Sequence, residues 1–145
     1  MGPDSGFQPI IGYTDLQRVS ECESVIIMSG KFVYDVHQLI SEKKAEKTAL
    51  LTIEELFPFP EARLEELLRG LSPNSQVYWV QEENLNGGAY QFVANRIQRA
   101  LSAVGWKGDL GYVGRRAVSA TAVGSVELHK RETAELNEWI REIIV

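Results

Sequence analysis

The hydrophobic period changes several times along the chain. Ser24–Met28 (SVIIM) is apolar after its serine and stops at Ser29-Gly30, which predicts a buried strand. Phe32, Val33, Val36, Leu39 and Ile40 recur at helical steps and predict a helix over Phe32–Lys43. Thr48–Ile53 (TALLTI) predicts a second buried strand. In Phe57-Pro58-Phe59-Pro60 both residues before proline are pushed to extended conformations, giving a stiff connector. Pro60 suits the first turn of a helix over Glu61–Arg69, with Leu64, Leu67 and Leu68 inward and Gly70 as C-cap. Gln76–Gln81 (QVYWVQ) predicts a third strand. Gly87-Gly88 opens a helix with Ala89, Phe92, Val93, Ile97, Ala100 and Leu101 on one stripe. Asp109–Val113 predicts a fourth, shorter strand. Ser125 caps a last helix carrying Leu128, Leu136, Trp139, Ile140 and Ile143.

Strands and helices therefore alternate, which predicts an α/β fold with a mostly parallel sheet and helices on both faces. In such sheets, sites lie beyond the strand C-termini. The loops there are Ser29–Lys31, Glu54–Phe59, Glu82–Gly88 and Gly114–Ser125. No repeat or long linker divides the chain, and 145 residues suit one domain, expected over residues 7–145. Residues 1–6 read as an appended remnant or the cut end of a longer chain.

A net charge of −5 argues against nucleic acid as the default partner, because phosphate binding needs a basic face. No apolar run approaches the roughly 20 residues of a membrane helix. Cys22 alone cannot form an internal disulfide, and with two histidines it does not make a common zinc site.

Five features hold candidate chemistry. Ser29-Gly30-Lys31 reads as a tight strand-to-helix turn, or as a single-anion site on Lys31 and the helix N-terminus. A phosphate loop would need more glycines and a hydroxyl residue after the lysine, where Phe32 stands. The densest polar cluster is Gln81–Gly88, with Glu82, Glu83, Asn84, Asn86 and Gly87. Adjacent residues on a strand point to opposite faces, so Glu82 and Glu83 do not readily share an acid–base site. Charge stabilisation or capping of the next helix, with Asn86 near its N-cap, and contacts to other domains are the alternatives. Gly108, Gly111 and Gly114 do not match the dinucleotide fingerprint and read as backbone freedom near a sheet edge. Arg115 and Arg116 precede a small-residue loop ending at Ser125, which suits an anion or a packed interface. His37 and His129 have no serine–aspartate partners at readable spacing, so a hydrolase triad is unsupported.

Four ordered motifs place the chain more sharply. They are Ser29-Gly30-Lys31-Phe32-Val33-Tyr34-Asp35, then Ile53-Glu54-Glu55-Leu56-Phe57-Pro58-Phe59-Pro60, then Trp79–Ala89 (WVQEENLNGGA), then Tyr112-Val113-Gly114-Arg115-Arg116 with Ser119-Ala120, Gly124 and His129. With these, the chain resembles the C-terminal domain of the thiamine-diphosphate-dependent E1 component of 2-oxoglutarate dehydrogenase and its relative 2-oxoadipate dehydrogenase. It departs from that pattern at Thr121-Ala122, where the family's proline is absent, and in having two glycines, Gly87 and Gly88.

The resemblance implies a transketolase C-terminal-like, three-layer α/β/α domain with a five-stranded mixed sheet. Gln17–Val19 or Pro9–Ile11 would supply the fifth strand. It also implies a structural and assembly domain with no catalytic residue or metal site of its own. Thiamine diphosphate and Mg²⁺ would lie elsewhere in the full-length enzyme, since the family's Gly-Asp-Gly motif is missing and Gly108-Asp109 continues with Leu110. Expected partners are the upstream E1 domains, a second E1 protomer and the E2 succinyltransferase, without nucleic acid or membrane. The expected compartment is the mitochondrial matrix in a eukaryote or the cytoplasm in a bacterium. Lys31, Glu82, Glu83, Asn84, Asn86, Gly87, Arg115, Arg116, Ser125 and His129 are the candidate interdomain or effector-binding residues. Two other readings remain: a regulatory module for a nucleotide or acyl-CoA, held by the arginines, and an unrelated anticodon-binding-like α/β domain.

Overall fold

The computed structural model describes residues 7–115 and 126–145, with the backbone alone at 126–129. The chain forms β1 (Ile10–Gly12), a 3-10 helix (Leu16–Glu21), β2 (Ser24–Met28), α1 (Val33–Lys43), β3 (Thr48–Ile53), α2 (Glu61–Leu68), β4 (Gln76–Asn84), α3 (Tyr90–Ala103), β5 (Gly111–Arg115) and α4 (Val126–Ile143). The five strands make one sheet in the order β1-β3-β2-β4-β5. All neighbours run parallel except β1, which lies antiparallel on β3 with Ile10 opposite Ile53.

The two continuous apolar runs became interior strands. Every residue of β2 and β3 is buried, because helices cover both faces of a mostly parallel sheet. On one face, Val25, Ile27, Leu51 and Trp79 pack with Leu64 and Leu68 of α2 and Val93, Ile97 and Leu101 of α3. On the other, Ile26, Met28, Leu50, Val80 and Val113 pack with Val36 and Ile40 of α1 and Leu136 and Ile140 of α4. Each large aliphatic side chain so buried contributes about 1.5–3 kcal/mol relative to exposure. The result is the three-layer α/β/α architecture.

The fifth strand is the Pro9–Ile11 candidate, shifted by one residue. Gln17–Val19 instead lies in the 3-10 helix, where Gln17 N donates to the Asp15 carboxylate at 3.0 Å and caps the turn. β5 begins at Gly111 rather than Asp109. The Gln98 side chain of α3 donates to Gly108 O and accepts from Leu110 N, both at 2.9 Å, and holds that stretch out of the ladder. Gly108 and Gly111 are needed for close approach rather than for unusual backbone angles. A Cβ would strike the Trp106 ring at Gly108, and would come within 2.7 Å of the Tyr78 ring at Gly111. Gly30 does need its freedom: φ is +86° in the turn from β2 into α1. At the opposite end of the sheet, Lys43 Nζ of α1 donates to Arg141 O (2.6 Å) and Ile144 O (2.8 Å), satisfying carbonyls at the end of α4.

Candidate functional site

The polar cluster predicted over Gln81–Gly88 stands at the carboxyl end of β4. Alternation along β4 puts Val77, Trp79 and Gln81 on one face, and all three are buried. Gln81 is 2% exposed, so both ends of its amide require partners. Its Oε1 accepts from Trp79 Nε1 (2.8 Å) and from Tyr90 N (3.2 Å). Its Nε2 donates to Asn84 O (2.8 Å), Glu83 O (3.2 Å) and the Tyr112 hydroxyl (3.3 Å). The Tyr112 hydroxyl donates in turn to Arg115 O at 2.8 Å. One amide thus joins the end of β4, the following turn, the start of α3 and β5.

This network corrects two expectations. The third helix opens at Tyr90, three residues after Gly87, and its first N–H, that of Tyr90, is met by Gln81 rather than by Asn86. Asn86 lies in the turn, where Gly87 N and Gly88 N both donate to Asn84 O, at 2.9 and 3.2 Å. Gly88 is there for space. A Cβ would sit 2.6 Å from Gln81 Oε1. Gln81 was legible only as a polar residue in register with Val77 and Trp79; its partner nine residues ahead was not.

The candidate residues fall into separate places. Glu82 and Glu83 are both exposed and diverge. Glu82 lines a cleft of about 370 Å³ between α1 and α4, with Phe32, Asp35, Glu42, Thr133 and Arg141. Glu83 acts on the Tyr112 phenol on the other face. Burial raises the Tyr112 pKa above its usual value; the Gln81 hydrogen bond opposes that shift and the Glu83 charge adds to it. Lys31 is exposed in the turn before α1. Arg115 turns inward, its side chain 14% exposed. Its guanidinium donates to Thr133 Oγ1 of α4 at 2.9 Å and lies 3.8 Å from Glu132. Arg116 and Ser125, and the side chain of His129, lie outside the described residues.

Arg115 therefore ties β5 to α4. Among the described residues, no group of three His, Cys, Asp or Glu side chains is placed to hold a metal ion. Gly108-Asp109 does not suit a diphosphate–metal site either, because Gln98 and the Trp106 ring occupy that turn. What the carboxyl end of the sheet offers is a rigid rim. Glu82, Glu83 and Asn86 project from a turn whose backbone is fixed by Gln81.

Comparison with known proteins identifies the family. The chain matches the family described as 2-oxoglutarate dehydrogenase C-terminal over residues 1–140. It is 31% identical over 137 residues to the "Probable 2-oxoadipate dehydrogenase complex component E1 homolog" of Dictyostelium discoideum, covering 94% of this chain and 15% of that protein. It is 37% identical over 125 residues to the 2-oxoglutarate dehydrogenase E1 component of Staphylococcus aureus strain N315, covering 86% of this chain and 13% of that protein. The chain thus spans about a seventh of these relatives. Four motifs, a five-stranded mixed sheet and a match over almost its whole length agree: this chain belongs to the 2-oxoglutarate dehydrogenase C-terminal family.

Proposed function

We propose that this chain is the assembly domain of a 2-oxoacid dehydrogenase E1, and that it supplies no reacting group. The whole enzyme would decarboxylate 2-oxoglutarate, or 2-oxoadipate, on thiamine diphosphate and pass the acyl group to the lipoyl arm of E2. The cofactor and its Mg²⁺ would be held by other E1 domains. The observation that carries this reading is the family match over residues 1–140, set beside a polar rim whose backbone Gln81 fixes. The Gln81-locked rim, with Glu82, Glu83, Asn84 and Asn86, would meet neighbouring E1 domains or the second protomer. Contact with E2 is a further expectation of the same assembly.

The test is a pair of titrations. Thiamine diphosphate with Mg²⁺ added to the 145-residue chain is expected to give no binding heat; saturable micromolar binding would overturn the reading. An E1 of this family lacking its last domain is expected to capture the chain, and Glu82→Lys with Glu83→Lys is expected to weaken capture at least tenfold. Equal capture of the parent and the double variant would remove the rim from the interface. A regulatory role for the arginines gains nothing from the geometry, since Arg115 is engaged with Thr133 and Glu132.

A further inference from the structure

Among the described residues, the helices on the α1/α4 face leave the outermost strand, β1, partly exposed. On that face β1 and β3 present Ile11, Tyr13, Thr52 and Glu54 by simple alternation, with Ile11 opposite Thr52. Ile11 is 38% exposed. Tyr13 folds back against α1, where its ring meets Tyr34 edge to face at 6.2 Å between centroids and lies 5.9 Å from His37. Tyr34 is 64% exposed although it is a large aromatic residue, so one side of this ring pair faces solvent. Burial raises the Tyr13 pKa above its usual value; a hydrogen bond with Thr52 opposes that shift, and the Tyr34 phenol and the Glu54 charge add to it. Glu54 accepts from Thr52 Oγ1 at 2.6 Å, which fixes its carboxylate on the same face of the sheet as Tyr13. Among the described residues no cation pairs with it.

We propose that Tyr34, Tyr13 and Glu54 form a subsite for a cationic side chain, that of an arginine on a protein segment docked along β1. Two rings at 84° to each other present a quadrupolar face, and a planar guanidinium stacks on such a face while reaching a carboxylate with its remaining N–H groups. The chain already uses this chemistry internally, with the Arg96 guanidinium 3.9 Å from the centroid of the Phe92 ring. Charge fits the same occupant: the chain is −5 overall, and exposed Asp35 follows Tyr34 on α1. An extended segment suits the location, because among the described residues β1 pairs only with β3 and its outer side ends the sheet. That the segment belongs to another part of E1 rests on the docking reading above; the subsite itself does not.

The test titrates the 145-residue chain with N-acetyl-L-arginine amide and follows the tyrosine ring resonances by NMR. Saturable shifts of Tyr34 and Tyr13 with a millimolar Kd are expected. N-acetyl-L-alanine amide is expected to move neither. Tyr34→Phe keeps the binding. Tyr34→Ala weakens it about two- to fivefold, the range for an exposed cation–π contact. Glu54→Gln weakens it to a similar degree and removes its salt dependence. The proposal is overturned if the neutral probe shifts the rings as strongly as the arginine probe, or if Tyr34→Ala with Glu54→Gln titrates like the parent. Capture by truncated E1 is scored separately. Failure of truncated E1 to capture the parent chain, with an intact arginine titration, counts against the docking reading; capture of a parent chain that shows no arginine titration counts against the subsite.

Discussion

Replacing Gln81 with leucine tests the central claim about the rim. Leucine matches the volume, so little cavity forms, and the cost comes from the polar groups left behind. The Trp79 indole N–H loses its acceptor in a residue only 1% exposed. Tyr90 N loses its acceptor in the half-buried first turn of α3. Asn84 O is spared, since Gly87 N and Gly88 N still donate to it. One fully buried orphan donor costs about 1–3 kcal/mol and a second, less buried one about 1, so a loss of about 2–4 kcal/mol is expected. With a slope of about 2 kcal/mol/M, the urea midpoint falls by about 1–2 M. Tryptophan fluorescence reads the transition. Combining Gln81→Leu with Trp79→Phe removes the orphaned indole, and the two costs should then sum to at least 1 kcal/mol more than the double variant shows, on the order of one hydrogen bond. Gln81→Glu keeps both acceptor contacts but puts a carboxylate against the carbonyls of Glu83 and Asn84. Burial raises its folded pKa above the unfolded value of about 4.3, so its stability is fully present below that value and is lost as pH rises through the folded pKa. A Gln81→Leu cost below ~0.5 kcal/mol, the level of an ordinary surface change, would refute the network as the element that fixes the turn.

Three further outcomes follow from the same coordinates. Gly88→Ala forces a methyl to within 2.6 Å of the Gln81 amide and should cost about 2 kcal/mol or more, measured by thermal melting; an unchanged Tm would mean the amide moves freely. Ser24 is 2% exposed and its Oγ has no partner, so Ser24→Ala should be neutral or stabilising by up to about 1 kcal/mol, and a loss above that would reveal a missed hydrogen bond. Tyr78 and Tyr112 have pKa values raised by burial, so in the folded chain they should ionise above 10.0, read by phenolate absorbance. Their contribution to stability is full below the unfolded value of 10.0 and is lost as pH rises through the folded values; phenolate formation complete at pH 10 would contradict it.

What the sequence showed and what it hid follow from how local each signal is. SVIIM and TALLTI were readable because strands buried on both faces are apolar throughout, and the alternation of elements then implied a parallel sheet. β1 was ambiguous because three residues hold almost no pattern; its identity depends on pairing with β3, some 40 residues away. Gln17–Val19 resembled a strand until the Asp15 cap turned it. The start of α3 was placed too early for a similar reason. Glycines signal a turn, but the acceptor that fixes the helix's first turn is a glutamine on the preceding strand. The three spaced glycines looked like backbone freedom, yet Gly108 and Gly111 answer to the rings of Trp106 and Tyr78, which only the tertiary packing brings there.

The sheet order locates the remaining question. β3 lies on one side of β2 and β4 on the other, so the chain reverses direction across the sheet between β2 and β4. Open α/β sheets bind ligands in the crevice at that point, often phosphates held at a helix N-terminus. Here Glu82 and Asp35 stand at that crevice, and Glu42 continues the line of carboxylates between α1 and α4. The cation in the cleft, Arg141, is hydrogen-bonded to Glu138 at 2.8 Å. Among the described residues this lining sets three carboxylates against one guanidinium, which disfavours phosphate. Among the described residues, the cleft between α1 and α4 is thus set for positive charge, as is the β1 face with Glu54. Carboxylates at both places would favour contact with basic protein surfaces, as the proposed assembly role requires.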